Sequence, residues 1–464
     1  FPFPTIPIHA HLLPTGLVFF WDRHDVPDGD GHPRLWDPAT GTFSAAPDPP
    51  PGHDLFCSGH AFLEDGRLFV AGGHYSDGQG QPFAALYDPF VSTWTLLPEM
   101  NAGRWYPTAT TLADGRVLVV AGSDELGASN VLPQVYGPAD FGWQDLTGAL
   151  RDLPYYPLVF QAPDGKAFVA APEAVAKRLD PAWPGAWSSV GSSGHGFRTY
   201  GSAVAYGVGK ILLAGGGEPP TATAQVIDLT APNPAFREVP PMAAARRQLN
   251  LTLLPDGTVL ATGGTSADGF NNATGAVLAT ELWSPSAESW SALAPMAVPR
   301  LYHSVALLLP DARILVAGGG HPSDTAHGDP DHLDGQVFSP PYLFRGPRPT
   351  IVAAPETVAL GSSFQVTVGP EAGVESVTWV RLGSVTHGFN MNQSFVRIAS
   401  KAVANGRAAV APGDSRHAPP GHYLMFALSA EGVPSLGRMI RLSGGLFSDG
   451  FESGSTAAWS EVQG

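Results

Sequence analysis

Four short stretches hold the residues through which this chain can do chemistry. Cys57, inside "DLFCSGH" (54–60), is the only cysteine in 464 residues, so no disulfide can form within the chain. "RWYPTATTL" (104–112) sets Tyr106 beside Trp105, "PRLYHSVALLLPD" (299–311) sets Tyr302 beside His303, and "RLGSVTHGFNMNQ" (381–393) carries His387. Taken singly, each has a structural reading. A lone cysteine is a small buried hydrophobe, Tyr106 is a packed aromatic, and a histidine in a turn caps a backbone group. A Tyr-His pair can serve a metal, but neighbours on a strand point to opposite faces. Tyr302 and His303 can therefore share one centre only where the chain bends, as at a strand end.

The elements that must position these residues repeat. "GRLFVAGG" (66–73), "GRVLVVAG" (115–122), "GKAFVAAP" (165–172), "GKILLAGG" (209–216), "GTVLATGG" (257–264) and "ARILVAGG" (312–319) share one pattern, and "GLVFFWD" (16–22) is a weaker copy. Each is a turn feeding a short apolar strand that ends on small residues. The copies recur about every 50 residues, the period of kelch propeller blades. A preceding apolar stretch with a tight turn, as in "LTLLPDGT", completes a hairpin. A third strand follows, and an aromatic opens the fourth: Phe43, Trp94, Trp143, Trp187, Phe236 and Trp290. These rings are expected to fill the gaps between neighbouring blades rather than to form a sugar-binding ladder. The two "GGG" runs (215–217, 318–320) precede no helix and read as blade turns, not phosphate loops. The last unit lacks its aromatic strand, so the N-terminal "FPFPTIPI" is expected to complete that blade and remove an exposed edge.

The expected architecture is all-β: a seven-bladed kelch-type β-propeller over 1–345, followed by an immunoglobulin-like β-sandwich over 346–443. The sandwich reading rests on short alternating strands such as "SSFQVTVG" and "VESVTWVRL". Residues 444–464 form a Gly/Ser-rich acidic tail that reads as a linker or sorting element. Abundant glycine and proline (55 and 46) with 14% charged residues fit an ordered, turn-rich β protein. The formal net charge of −16 argues against nucleic acid as a partner. No apolar run reaches the roughly 18 residues a membrane span needs. A start at Phe1, without a basic-then-apolar leader, fits a secreted, periplasmic or cell-surface protein whose signal peptide has been removed.

In order and position along the chain, "FCSGH", "RWYP", "LYHS" and "VTHGFN" resemble the signature segments of the copper radical oxidases, the family of galactose oxidase and glyoxal oxidase. The resemblance covers nearly the whole chain and fills all five site positions. It implies one copper ion per chain, held by His303, His387, Tyr302 and Tyr106. It also implies a protein-derived cofactor, a thioether joining the Cys57 sulfur to the Tyr106 ring, which carries a radical. Imidazole nitrogen and phenolate oxygen suit Cu(II). The implied reaction oxidises a primary alcohol or aldehyde hydrate with O2 and releases hydrogen peroxide, with Tyr302 as general base and Tyr106–Cys57 taking the carbinol hydrogen. Because His387 lies beyond the repeats, the C-terminal domain is expected to send a loop to the propeller axis.

The stretch "AGSDELGASN" (121–130) lacks the aromatic that galactose oxidase places over its thioether; Trp105, shared with the glyoxal oxidase type, either shields the ring instead or packs within its blade. "HGFRTYGSAVAY" (195–206) resembles the same region of glyoxal oxidases, which makes His195, Arg198 and Tyr200 candidate substrate-pocket residues together with Trp105. Expected partners are a small alcohol or aldehyde and O2, with the chain acting as a monomer and galactose disfavoured. The loop "HPSDTAHGDPDHLDG" (321–335) has a metal-binding composition but reads as a solvated insertion. Two alternatives stand against the oxidase: a non-catalytic kelch propeller binding glycan or protein, and a copper binder whose radical cofactor never matures.

Overall fold

The computed structural model describes residues 1–23, 31–139, 142–321, 328–370 and 373–444. The tail beyond 444 and positions 322–327 of the His/Asp loop lie outside the described residues. Among the described residues regular structure is strand, apart from two single 3-10 turns at Ala273–Gly275 and Pro341–Phe344. No helix among the described residues is long and apolar enough to cross a membrane.

Seven antiparallel sheets follow one another along the chain as propeller blades. Their inner strands are His9–Leu12, Gly59–Phe62, Thr108–Thr111, Leu158–Gln161, Ser202–Gly207, Arg247–Leu253 and Ser304–Leu308. Each pairs with the repeated apolar run that follows it, through a turn the sequence specifies chemically. In five blades an aspartate side chain accepts the backbone N–H two residues on: Asp65 from Arg67, Asp114 from Arg116, Asp164 from Lys166, Asp256 from Thr258 and Asp311 from Arg313. These Asx turns fix the hairpin register.

Two further repeated devices hold the blades. The indole N–H groups of Trp94, Trp143, Trp187 and Trp290 donate to the carbonyls of Pro47, Pro98, Ala149 and Pro240, at 2.7 to 3.0 Å. Each acceptor lies in the link leaving the preceding blade, so the aromatic series does seal neighbouring blades. Closer to the axis, four fully buried guanidinium groups repeat one bond. Arg104, Arg198, Arg246 and Arg300 donate to the carbonyls of Ala121, Gly215, Gly263 and Gly318, at the end of the second strand of their own blade. Each then reaches a side chain at the third strand, including Glu281 from Arg246 at 2.6 Å and Asp334 from Arg300 at 2.8 Å.

The last blade has three strands, Ser304–Leu308, Ile314–Gly318 and Gly335–Phe338. The N-terminal segment reaches it with Phe1–Phe3 only: Pro2 bridges Asp334, Phe3 N–H donates to Leu333 and Gly335 N–H donates to Phe1. The closure is shorter than the expected "FPFPTIPI". The described part of the His/Asp loop is partly packed, with Asp329 buried against His332 and Asp331 paired with Arg23 at 2.7 Å, while Pro330 and Leu333 are exposed.

Beyond the propeller, eight strands from Ile351–Ala353 to Arg438–Ser443 form one curled sheet. Its long strand Phe395–Val403 pairs with Ser376–Arg381 through its first half and with Gly406–Val410 through its second. The sheet thereby folds over a core of Trp379, Tyr423, Met425, Val377 and Ile440. Between residues 381 and 395 this unit extends a hairpin, Ser384–Thr386 and Phe389–Asn390. The hairpin adds to the inner edge of the first blade in register His9↔Thr386, Ala10↔Val385, His11↔Ser384, making that blade six-stranded.

The turn of this hairpin runs through Gly388 at φ +79°, where an added Cβ would lie 2.5 Å from the Leu249 carbonyl oxygen. Gly388→Ala is therefore expected to destabilise the fold by more than about 1–3 kcal/mol, read by urea unfolding. Arg198→Lys is expected to cost about 1–3 kcal/mol, matching Arg104→Lys, because each leaves buried acceptors unpaired. A stability unchanged by either substitution would contradict the clamp.

Candidate active site

Six blades present one residue each where the inner strand begins, and all six have left-handed backbone: Cys57 (φ 61°), Tyr106 (63°), Tyr156 (43°), Tyr200 (54°), Gln248 (60°) and His303 (67°). His387 on the inserted hairpin adds a seventh at 50°. A non-glycine residue held at positive φ is strained, and such strain collects at functional sites. The kinks are tied to one another. Tyr106 N–H donates to Cys57, Tyr156 N–H to Tyr106 and Gln248 N–H to Tyr200, at 2.8 to 2.9 Å. The kink at His303 is also the bend that lets neighbours converge: the rings of Tyr302 and His303 lie 3.9 Å apart between centroids, both buried.

Four rings meet here. His387 lies 4.7 Å from Tyr106, 5.1 Å from Tyr302 and 4.9 Å from His303, centroid to centroid. The hydroxyls of Tyr106 and Tyr302 are hydrogen-bonded to each other, and the Tyr106 hydroxyl lies 3.0 Å from His387 Nε2. Both imidazoles are oriented from behind. His303 Nδ1 donates to the Gly320 carbonyl, which leaves Nε2 as a buried lone pair with no hydrogen-bond partner. His387 Nδ1 donates to Thr386 Oγ1 at 2.6 Å, and that hydroxyl donates onward to the Ile8 carbonyl. Two neutral imidazoles thus present Nε2, and two phenols face each other. That donor set suits a transition metal that accepts nitrogen and phenolate oxygen.

Burial governs the ionisation of these groups. Desolvation holds His303 far below the usual imidazole range and His387 at about 3, with the neighbouring imidazoles adding to it. It pushes the phenols of Tyr106 and Tyr302 well above their ordinary value, with nearby acidic groups raising them further. Without a cation the centre is therefore neutral, and a bound cation would favour phenolate.

Cys57 is fully buried in the same apolar cluster as Tyr106, Tyr156 and Phe56. The Tyr106 ring is covered on both faces. Trp105 stacks at 3.8 Å and 6°, and Tyr156 at 4.5 Å and 23°. Trp105 is oriented by its indole N–H, 3.2 Å from His74 Nδ1.

A cavity of about 550 Å³ reaches Tyr106 and His387 and is walled by Tyr155, Tyr156, Phe197 and Tyr200. Of the residues singled out from sequence, Cys57, Trp105, Tyr106, Tyr302, His303 and His387 come together. Tyr200 joins them, its ring 5.8 Å from Tyr302. Arg198 borders the cavity, but its guanidinium is engaged by its own blade. His195 does not line the cavity; it pairs with Glu238 at 2.5 Å. Tyr155 and Tyr156 were missed, although "YYP" before an inner strand matches "WYP" one repeat earlier.

Residues 348–442 match the family model of the galactose oxidase-like early set domain, and residues 214–342 match that of the glyoxal oxidase N-terminus. Galactose oxidase of Gibberella zeae is 29% identical over 95% of this chain and 69% of its own length. Aldehyde oxidase GLOX of Vitis pseudoreticulata is 31% identical over 84% of this chain and 82% of its own. Among solved structures, a fungal alcohol oxidase of the AA5 family, in complex with copper, superposes with a TM-score of 0.86 at 26% identity, covering 96% of this chain and 98% of that one. At this identity and coverage the relatives settle the family: the chain belongs to the galactose oxidase and glyoxal oxidase family of copper radical oxidases.

Proposed function

We propose that this chain oxidises a small primary alcohol, or an aldehyde as its hydrate, with dioxygen and releases hydrogen peroxide. The observation that carries the reading is the convergence of His303 Nε2, His387 Nε2 and the two phenols beside Cys57. Tyr106, Tyr302, His303 and His387 are the residues that would hold copper. Copper bound there supplies a one-electron couple and a coordination position for substrate oxygen, complementing the one-electron capacity of a tyrosyl radical.

The remaining roles fall to the chain. Tyr302 accepts the hydroxyl proton as general base. Tyr106, joined to Cys57 through a thioether, carries the radical and takes the hydrogen atom from the carbinol carbon. Trp105 and Tyr156 cover both ring faces and limit the access of water and reductants to that radical. The propeller and the C-terminal unit work as one catalytic body, because His387 belongs to the second and its neighbours to the first.

The cavity supports a substrate reading. Its aromatic walls at Tyr155, Tyr156, Phe197 and Tyr200 suit aryl or short aliphatic alcohols and aldehydes, while Ser129, Asp152, Glu173 and Thr199 add polar lining on which a substrate hydroxyl can be oriented. The relatives divide along the same line, one named a galactose oxidase, one an aldehyde oxidase and one an alcohol oxidase.

Exposure to copper and air is expected to yield a cross-linked Cys57–Tyr106 peptide lacking two hydrogens, read by peptide mapping. A Cys57 that stays alkylatable under those conditions would rule the reading out. Peroxide release over a panel of alcohols and aldehydes should favour aryl substrates over galactose. Removing a ligand with His303→Ala should weaken copper binding by about 100-fold or more, measured by competition titration.

A further inference from the structure

Directly beneath the ring cluster, the first blade and the hairpin enclose three histidines that the chemistry above does not use. His9 and His11 alternate on the innermost strand of the first blade, His60 stands on that of the second, and all three are fully buried. Their contacts form one continuous chain. The Cys57 N–H lies 3.2 Å from His9 Nε2. His9 Nδ1 lies 3.2 Å from His60 Nε2. His60 Nδ1 lies 2.6 Å from Ser384 Oγ, and Ser384 Oγ lies 2.8 Å from His11 Nδ1. Trp21 stacks on His9 and His11, with centroids 5.0 and 4.5 Å away.

Burial holds all three imidazoles neutral, His60 at about 3 and the others well below the usual range. A neutral imidazole has one N–H and one lone pair. The Cys57 amide can only donate, so His9 Nε2 is a lone pair and His9 Nδ1 carries hydrogen. His9 then donates to His60 Nε2, which places the His60 hydrogen on Nδ1, donating to Ser384. The Ser384 oxygen, which can donate or accept a further hydrogen bond, then meets His11 Nδ1. One backbone N–H thus sets the tautomers of His9 and His60 and makes Ser384 Oγ an acceptor, and these links agree in direction.

We propose that the relay His9–His60–Ser384–His11 is a positioning device for the thioether cofactor: it holds Cys57 in its left-handed conformation against Tyr106 and couples that loop to the hairpin that carries His387. The proposal rests on the cross-link read above. Without an acceptor at His9, the Cys57 amide at φ 61° loses its partner in a buried site, and the loop is free to relax to an ordinary conformation that carries the sulfur away from the ring. Cross-linking breaks the Cys57 S–H bond and one ortho C–H bond of Tyr106 and forms one S–C bond. Two protons and two electrons leave to dioxygen, giving hydrogen peroxide. None of the four relay residues exchanges a proton or an electron in that balance, so their part is geometric.

The test follows cross-link formation in protein prepared without copper and then given copper(II) in air. The fraction of cross-linked peptide is read against time, alongside copper content and thermal unfolding. His9→Phe is expected to bind one copper and to cross-link at least tenfold more slowly. His9→Gln, whose Oε1 can accept the same N–H, is expected to stay within about threefold of wild type. Ser384→Ala, which removes only the hydroxyl linking His60 to His11, is expected to slow the reaction at least threefold. Cross-linking of His9→Phe at the wild-type rate overturns the proposal, as does His9→Gln behaving like His9→Phe, or an unchanged rate in Ser384→Ala. Should His9→Phe fail to fold, the other two variants decide. A wild-type protein that binds copper and never cross-links overturns the thioether reading and the relay together, whereas equal rates in wild type and variants overturn the relay alone.

Discussion

Three residue pairs of antiparallel backbone, His9 with Thr386, Ala10 with Val385 and His11 with Ser384, carry the rest of the molecule's logic. An inner propeller strand normally leaves one edge unpaired, facing the axis. Here that edge is satisfied by a strand from another part of the chain, so the axial channel is closed by backbone hydrogen bonds rather than by side chains alone. The pairing also sets the depth of His387, because a one-residue slip would turn every side chain of the hairpin to its other face. His9 and His11 flank Ala10 on the same strand, so a single register aligns the ring cluster above with the buried imidazoles below.

The strain at the mouth follows from this arrangement. A propeller delivers each blade's inner strand to the axis at nearly the same level, and an extended residue there would send its side chain along the blade's own face. A left-handed residue at the strand start redirects it toward the shared centre. Most residue types avoid that conformation, so the surroundings must enforce it. The amide-to-carbonyl links among Cys57, Tyr106 and Tyr156 supply part of that restraint, and the arginine clamps two residues before Tyr106, Tyr200 and Gln248 supply more.

Much of this was legible in the sequence because it repeats. The recurring apolar runs gave the blades, the tryptophan series gave the seams, and the Tyr302–His303 pair required the bend that His303 supplies. What escaped notice depends on contacts without period. The reading of the N-terminal segment stopped at Ile8, one residue short of "HAH", whose alternation places two imidazoles on the axial side of one strand. His60 closes the "DLFCSGH" stretch and Ser384 lies within "RLGSVTHGFNMNQ", and neither run carries a local signal that joins it to the other. Only the third dimension joins strands so far apart in sequence. Arg198 illustrates the opposite hazard: the stretch around it resembled a pocket, yet the same residue type at the same repeat position serves as a clamp in three other blades.

The dependence on the hairpin has a consequence for the order of events in the life of the chain. Synthesis runs from the N-terminal side, and the blade residues Cys57, Tyr106, Tyr302 and His303 all emerge before His387. Until the segment carrying His387 exists, the first blade lacks its inner partner strand and the ring set lacks one imidazole. The nascent protein therefore carries Cys57, Tyr106, Tyr302 and His303 before the fourth ring of the set is present to complete the centre. Placing the closing element after the blades delays the complete centre until the propeller that surrounds it has been made.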